Sequence, residues 1–192
     1  MPERAAIDND FLNHLLGIKT EPDLVNLIKR FFRALQVSVF MHPLVFDHEA
    51  SIINNKTRNE LLADNTITVM PLENIWENTP GGREYYSMMV KGIYRDFTGK
   101  DYPCEDMFGQ WLAMQSLGEV HTVVACAFVL CECFLSDDRG AADLLQGIVL
   151  RRLNRPINIY NRQNRCDYLR TLDISEREGL NSNELKKLAH SR

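Results

Sequence analysis

The stretch FLSDDRGA, Phe134 to Ala141, decides how the chain is read. Phe134-Leu135 is a short apolar run that suits a buried strand. It stops at Asp137-Asp138, and from Gly140 to Leu153 the residues Leu144, Leu145, Ile148 and Val149 recur at helical spacing. The same sequence of events occurs near the start of the chain. Ala5-Ala6-Ile7 ends at Asp8-Asn9-Asp10, and Phe11, Leu12, Leu15 and Leu16 follow at helical spacing. Further short strands are expected at Val37 to Phe40, Thr66 to Met70 and Ile157 to Tyr160. Between them, Thr20-Glu21-Pro22-Asp23 has the form of a helix start with Thr20 as cap, followed by Leu24, Leu27, Ile28, Phe31 and Leu35. Apolar strands alternating with helices predict an α/β fold with a mostly parallel sheet. Ligands of such sheets sit beyond the carboxyl ends of the strands. Both acidic pairs are therefore expected at one edge.

Composition narrows the function classes. The 192 residues are 45% apolar and 25% charged, and the net charge of −4 offers no global attraction for polyanions. Nucleic acid would have to be held by a local patch or through bound cations. The five cysteines are odd in number, and Cys126, Cys131 and Cys133 lie in one apolar run, which does not suit a disulfide framework. Cys131-x-Cys133 lacks a second zinc-ligand pair. Reduced thiols and the charged start MPERAAIDND point to a cytoplasmic protein. The longest apolar run, Val120 to Leu135, is interrupted by His121, Thr122 and Glu132 and is too short to span a bilayer.

Clustered acids carry the chemistry. Two carboxylates about 4 Å apart repel by roughly 4 kcal/mol at an effective dielectric near 20, and a hard divalent ion with oxygen ligands removes that cost. Each acid also has a local reading. Asp8 or Asp10 can cap the first helix, Ser116-x-x-Glu119 is a capping box, Asp138 can cap the helix from Gly140, and Asp137 can be a solvated turn residue.

The ordered set resembles a PIN-like domain, the nuclease fold of many bacterial toxin ribonucleases and RNA-processing factors. AAIDNDFL matches the family's first strand and acid, and HPLVFDHEA offers Glu49, with Asp47 as a rival. SLGEVHTVVACAF supplies Glu119 at the start of a helix rich in small residues, and FLSDDRGA supplies the closing Asp-Asp-Arg. The resemblance covers about residues 4–50 and 112–162. It implies a three-layer α/β/α domain over residues 1–192, with residues 51–111 an insertion holding a helix at 83–97 and a loop from Trp76 to Gly82. Residues 163–192 would be a C-terminal helical extension. It also implies Mg²⁺- or Mn²⁺-dependent phosphodiester cleavage, usually of RNA. Asp8, Glu49, Glu119 and Asp138 would be catalytic, Asp137 a further metal ligand and Asp10 auxiliary. Arg139, Lys91 and Arg95 are candidates for substrate phosphate. Partners by family analogy are an antitoxin-like inhibitor and a second copy in a homodimer; no membrane is implied. The rival reading is a non-catalytic PIN-like module for RNA or protein binding, and a second rival is another metal-dependent hydrolase on a similar sheet edge.

Other features are open to two readings. Six arginines and one acid between Arg151 and Arg170 form either a phosphate-tracking patch or a set of structural and solvated side chains. Trp76, Tyr85 and Tyr86 can stack bases or cap the core. The five histidines form no ligand motif.

Overall fold

The computed structural model describes residues 2–18, 22–46, 55–103 and 117–190. Strand β1 (Glu3–Ile7) is followed by α1 (Asn9–Leu16) and α2 (Leu24–Ala34), then β2 (Val37–Met41), α3 (Asn55–Ala63) and β3 (Ile67–Val69). Next come α4 (Leu72–Asn78), α5 (Gly82–Thr98), α6 (Leu117–Val129), β4 (Cys133–Leu135) and α7 (Arg139–Leu153). The chain continues with β5 (Asn158–Tyr160), α8 (Arg162–Arg170) and α9 (Ser182–His190). The five strands pair in the order β3-β2-β1-β4-β5, every pairing parallel. The α/β class with a parallel sheet is thus as expected.

The strand residues alternate between two cores. Ala5, Ile7, Val39, Met41, Cys133 and Leu135 join the first, with α1, α2, α3, α8 and α9. Ala6, Phe40, Phe134 and Ile159 face the second, built from α4, α5, α6 and α7. A period of two on strands that are buried on both faces produces this three-layer arrangement. Helix α6 lies deepest, with Leu117, Val120, Val123, Val124, Ala125 and Cys126 all buried, so its small apolar residues serve close packing on several sides.

Two sequence expectations need correction. The segment from Trp76 to Gly82 is not a loop throughout, because Trp76 lies inside α4. That helix is only seven residues long and ends before Thr79-Pro80-Gly81, too brief to show a helical period. The cap of α2 is Asp23, whose carboxylate accepts from Asn26 N at 3.2 Å; Thr20 lies outside the described residues. Within residues 51–111 the strand and helix expected there are present as β3, paired with β2, and α5, whose Tyr86, Val90 and Ile93 are buried in the second core. Gly81 and Gly99 take left-handed φ of 68° and 71° at the two ends of α5, where a side chain would be strained.

Phe134 lies between the sheet and the second core and is 1% exposed. Replacing it with Ala is expected to lower stability by about 3–5 kcal/mol in urea unfolding. A loss below about 1 kcal/mol would contradict tight packing of that layer.

Candidate active site at the carboxyl edge

The register aligns the ends of the strands. Ile7 pairs with Met41 and with Leu135, Met41 with Val69, and Leu135 with Tyr160. The residues that follow, Met70, His42, Asp8, Ser136 and Asn161, therefore stand in one row at the carboxyl edge. The chain builds β1, β2 and β3 outward in one direction and then returns to place β4 on the other side of β1. This reversal between β1 and β4 is the switch point where doubly wound sheets open a crevice. Asp8 and Ser136-Asp137-Asp138 flank it.

Asp8 is fixed by three bonds. Its N–H continues the ladder to Leu135 O at 3.1 Å, its Oδ1 accepts from Phe11 N at 2.7 Å as the cap of α1, and the Ser136 hydroxyl donates to its carboxylate. Ser136 Oγ in turn accepts from Asp138 N at 3.2 Å, so one buried hydroxyl joins Asp8 to the turn that carries Asp138. Burial pushes the Asp8 carboxyl well above the usual range. The bonds from Ser136 and Phe11 oppose the shift, and the charges of Asp10 and Glu119 add to it. Glu119, in the first turn of α6, is also held above its usual range, by burial first and then by the charges of Asp138 and Asp10. Asp8, Asp10, Glu119 and Asp138 thus form one mutually repelling group. Among the described residues no three His, Cys, Asp or Glu side chains converge on one point so as to hold a metal ion as they stand.

Asp137 is engaged elsewhere. Its Oδ1 accepts from Arg162 N at 3.0 Å, and its Oδ2 meets both Arg162 Nε and His14 Nδ1, the latter at 2.8 Å. Arg162 is itself buried and donates to Leu188 O at 2.9 Å. Burial alone would raise the Asp137 carboxyl, but the Arg162 and His14 bonds outweigh it and bring it below the usual range. The turn after β4 is in this way fastened to α1, α8 and α9.

The other expected residues are distributed differently. Glu49, its rival Asp47 and the cap Ser116 lie outside the described residues, as does the side chain of Arg139. Lys91 and Arg95 are exposed on α5, and Arg95 pairs with Asp101 at 3.5 Å. The neighbouring Asp96 takes both Nε and Nη2 of Arg152, at 2.7 and 2.9 Å. Arg152 is near the far end of α7, about 20 Å along the helix axis from Asp138, so this turn of α5 is remote from the acids. The arginine run is largely structural. Arg155 donates to Cys126 O in the last turn of α6 at 3.4 Å and to Cys131 O beyond it at 2.9 Å, Arg162 holds Asp137, Arg165 lies over the Tyr160 ring at 3.3 Å, and Arg170 pairs with Asp167. Cys126, Cys131, Cys133 and Cys166 are free and buried, and Cys104 lies outside the described residues.

A second feature of this edge was not visible in the sequence. His42, directly after β2, accepts from Leu44 N at its Nδ1 (3.1 Å), so its Nε2 carries the proton and donates to Tyr86 Oη at 2.9 Å. Tyr86 Oη lies 2.7 Å from His121 Nδ1, and His121 Nε2 lies 2.8 Å from Tyr102 Oη. Burial holds His42 well below the ordinary histidine range, with the neighbouring His121 adding to the shift.

Removing the Arg162 side chain, as in Arg162→Ala, leaves Asp137 without its buried partner and is expected to cost about 3–5 kcal/mol in urea unfolding; Asp137→Asn, which removes the charge that needs pairing, should cost less. Folded His42 stays neutral while unfolded histidine gains a proton near pH 6.5, so stability falls as pH drops below that value, by up to about 1.4 kcal/mol per pH unit. His42→Gln should flatten the fall measured between about pH 7 and about pH 5; an unchanged slope would show that His42 is not the group being titrated.

The Asp8-Ser136-Asp138 linkage would have been legible as strand-Ser-x-Asp-helix, whereas His14, Arg162 and the His42–Tyr86–His121 chain leave no local mark. No family model, curated protein or solved structure matches the chain.

Proposed function

We propose that the protein is a PIN-like nuclease, a Mg²⁺- or Mn²⁺-dependent phosphodiesterase acting on RNA. The observation that carries this reading is the self-repelling group of Asp8, Asp10, Glu119 and Asp138 at the switch point between β1 and β4. Stability of a whole domain is only about 5–15 kcal/mol, so a buried Asp8 and a part-buried Glu119 among like charges suit a role that needs them. Oxygen donors of this kind fit a hard divalent cation. Asp8, Glu119 and Asp138 would hold it, with Glu49 as the fourth acid and Asp10 auxiliary. When bound, such an ion supplies Lewis-acid charge and a water acidic enough to attack phosphorus.

In this reading the protein's own residues set the geometry. Ser136 ties Asp8 to the Asp138 turn, and the cap bond to Phe11 N fixes the Asp8 carboxylate at the start of α1. Asp137, engaged by Arg162 and His14, serves as a strut for that turn rather than as a ligand. The binding-only module remains the alternative, favoured by Asp8's commitment to Phe11 N and Ser136 and by side chains that do not close on one point.

Labelled RNA, labelled DNA and a phosphomonoester should be compared with Mn²⁺, Mg²⁺ and chelator. RNA cleavage is expected with the ions and none with chelator. Asp8→Asn and Asp138→Asn should each lower it by more than about 100-fold, beyond the usual effect of losing an outer partner of a metal ligand. Asp8→Asn should also raise stability in chelator by about 1–2 kcal/mol, because it removes a buried repelling charge. Equal cleavage by both variants and the parent would rule out the nuclease assignment; no cleavage by the parent would favour the binding module.

A further inference from the structure

Two strands away from Asp8 along the same edge, a cavity of about 830 Å³ opens beyond the ends of β2 and β3. This is within the range of small-molecule sites, roughly 300–1,000 Å³. Its walls include His42, Leu72 and Trp76, and its polar lining includes Glu73, Glu77 and Arg83.

The lining is built. Trp76 is half-buried and rests on Tyr86, with ring centroids 5.1 Å apart. Tyr86 is fully buried and bonded to both His42 and His121, so the indole has a rigid backing. Glu73 and Glu77 are four residues apart on α4 and share one side of it, with Trp76 between them. Neither carboxylate has an ion-pair or hydrogen-bond partner among the described residues, although both are exposed at the cavity.

We propose that this cavity takes an unpaired nucleobase bearing an exocyclic amine, from the strand whose phosphate lies at the acids; the substrate assignment rests on the nuclease reading above. An aromatic platform supplies stacking, which accepts any base. Carboxylates discriminate, because they accept from the amino groups of cytosine, adenine and guanine, while uracil lacks such a group. Arg83 is the cationic member of the lining and suits the attached phosphate. Neighbouring strands are about 4.8 Å apart, so β3 lies about 10 Å from β1, a distance that one or two nucleotides of an extended strand can span. Duplex is excluded by the stacking requirement, since a base inside a duplex is stacked on both faces and cannot lie on the Trp76 ring.

The test uses the full chain in chelator, where binding is read without cleavage. CMP, AMP, GMP and UMP are titrated by calorimetry. The three amino-bearing nucleotides should bind at least about tenfold more tightly than UMP. The double variant Glu73→Ala, Glu77→Ala, altered only at exposed positions, removes both acceptors and should keep its fold and lose that preference. Trp76→Leu should weaken all four, with folding checked by circular dichroism. Equal binding of the four nucleotides, a preference unchanged in the double variant, or no binding would overturn the proposal. So would a spermine titration showing tight binding that the double variant abolishes while nucleotides do not compete, because the cavity would then be a cation site. Asp138→Asn separates the two assignments. If it binds nucleotides normally while neither it nor the parent cleaves RNA, the base site stands and the nuclease reading falls; if the parent cleaves RNA and binding ignores the cavity variants, the reverse holds.

Discussion

The bond from Asp8 N–H to the Leu135 carbonyl is the constraint on which the candidate site depends. It carries the β1–β4 pairing one residue beyond the strands and sets Asp8 level with Ser136. Without that register the Ser136 hydroxyl could not reach both the Asp8 carboxylate and the amide of Asp138. The reversal of strand order between β1 and β4 makes this the open point of the sheet, so a hydrogen bond of ordinary strength fixes where the chain presents its acids.

The acids around this point divide by environment. Asp137 has cationic and neutral donors on both oxygens and is held low, whereas Asp8 and Glu119 have burial and like charges against them and are held high. Two adjacent aspartates in the sequence therefore have opposite employment: one organises the turn, the other belongs to the repelling group. The division follows from what surrounds each side chain, since the residue type is the same.

Much of the fold was legible because strands buried on both faces leave short apolar runs, and the acids at their ends break those runs visibly. β1, β2, β4, β5 and the helices α1, α5 and α7 stand close to where periodicity put them. Helix α4 was missed because seven residues hold too little of a period, whereas β3 stands within the strand expected at Thr66 to Met70. The positions of the candidate acids were legible: Asp8 and Asp138 follow strands and Glu119 lies in the first turn of a helix. Their partners were not. His14 lies 123 residues from Asp137 and Arg162 lies 25 from it, and pairings over such distances have no local signature. The cap reading of Asp8 holds, since its Oδ1 caps α1, and the same carboxylate also takes the Ser136 hydroxyl, a bond across 128 residues that no local pattern announces.

Arg162 also links the site to the order in which the chain is made. Its guanidinium joins the Asp137 turn to the carbonyl of Leu188, in a helix later in the chain than every strand of the sheet. A polypeptide emerging from the ribosome can pair β1 with β4 and dock α7 before α9 exists, because synthesis proceeds from the amino terminus at only about 5–20 residues per second. The fastening of the turn beside Asp138 therefore waits for α9, which is made after every strand of the sheet. Until α9 docks, the acidic edge is held by fewer bonds than in the finished fold, which delays its final geometry until the segment carrying Leu188 has been made.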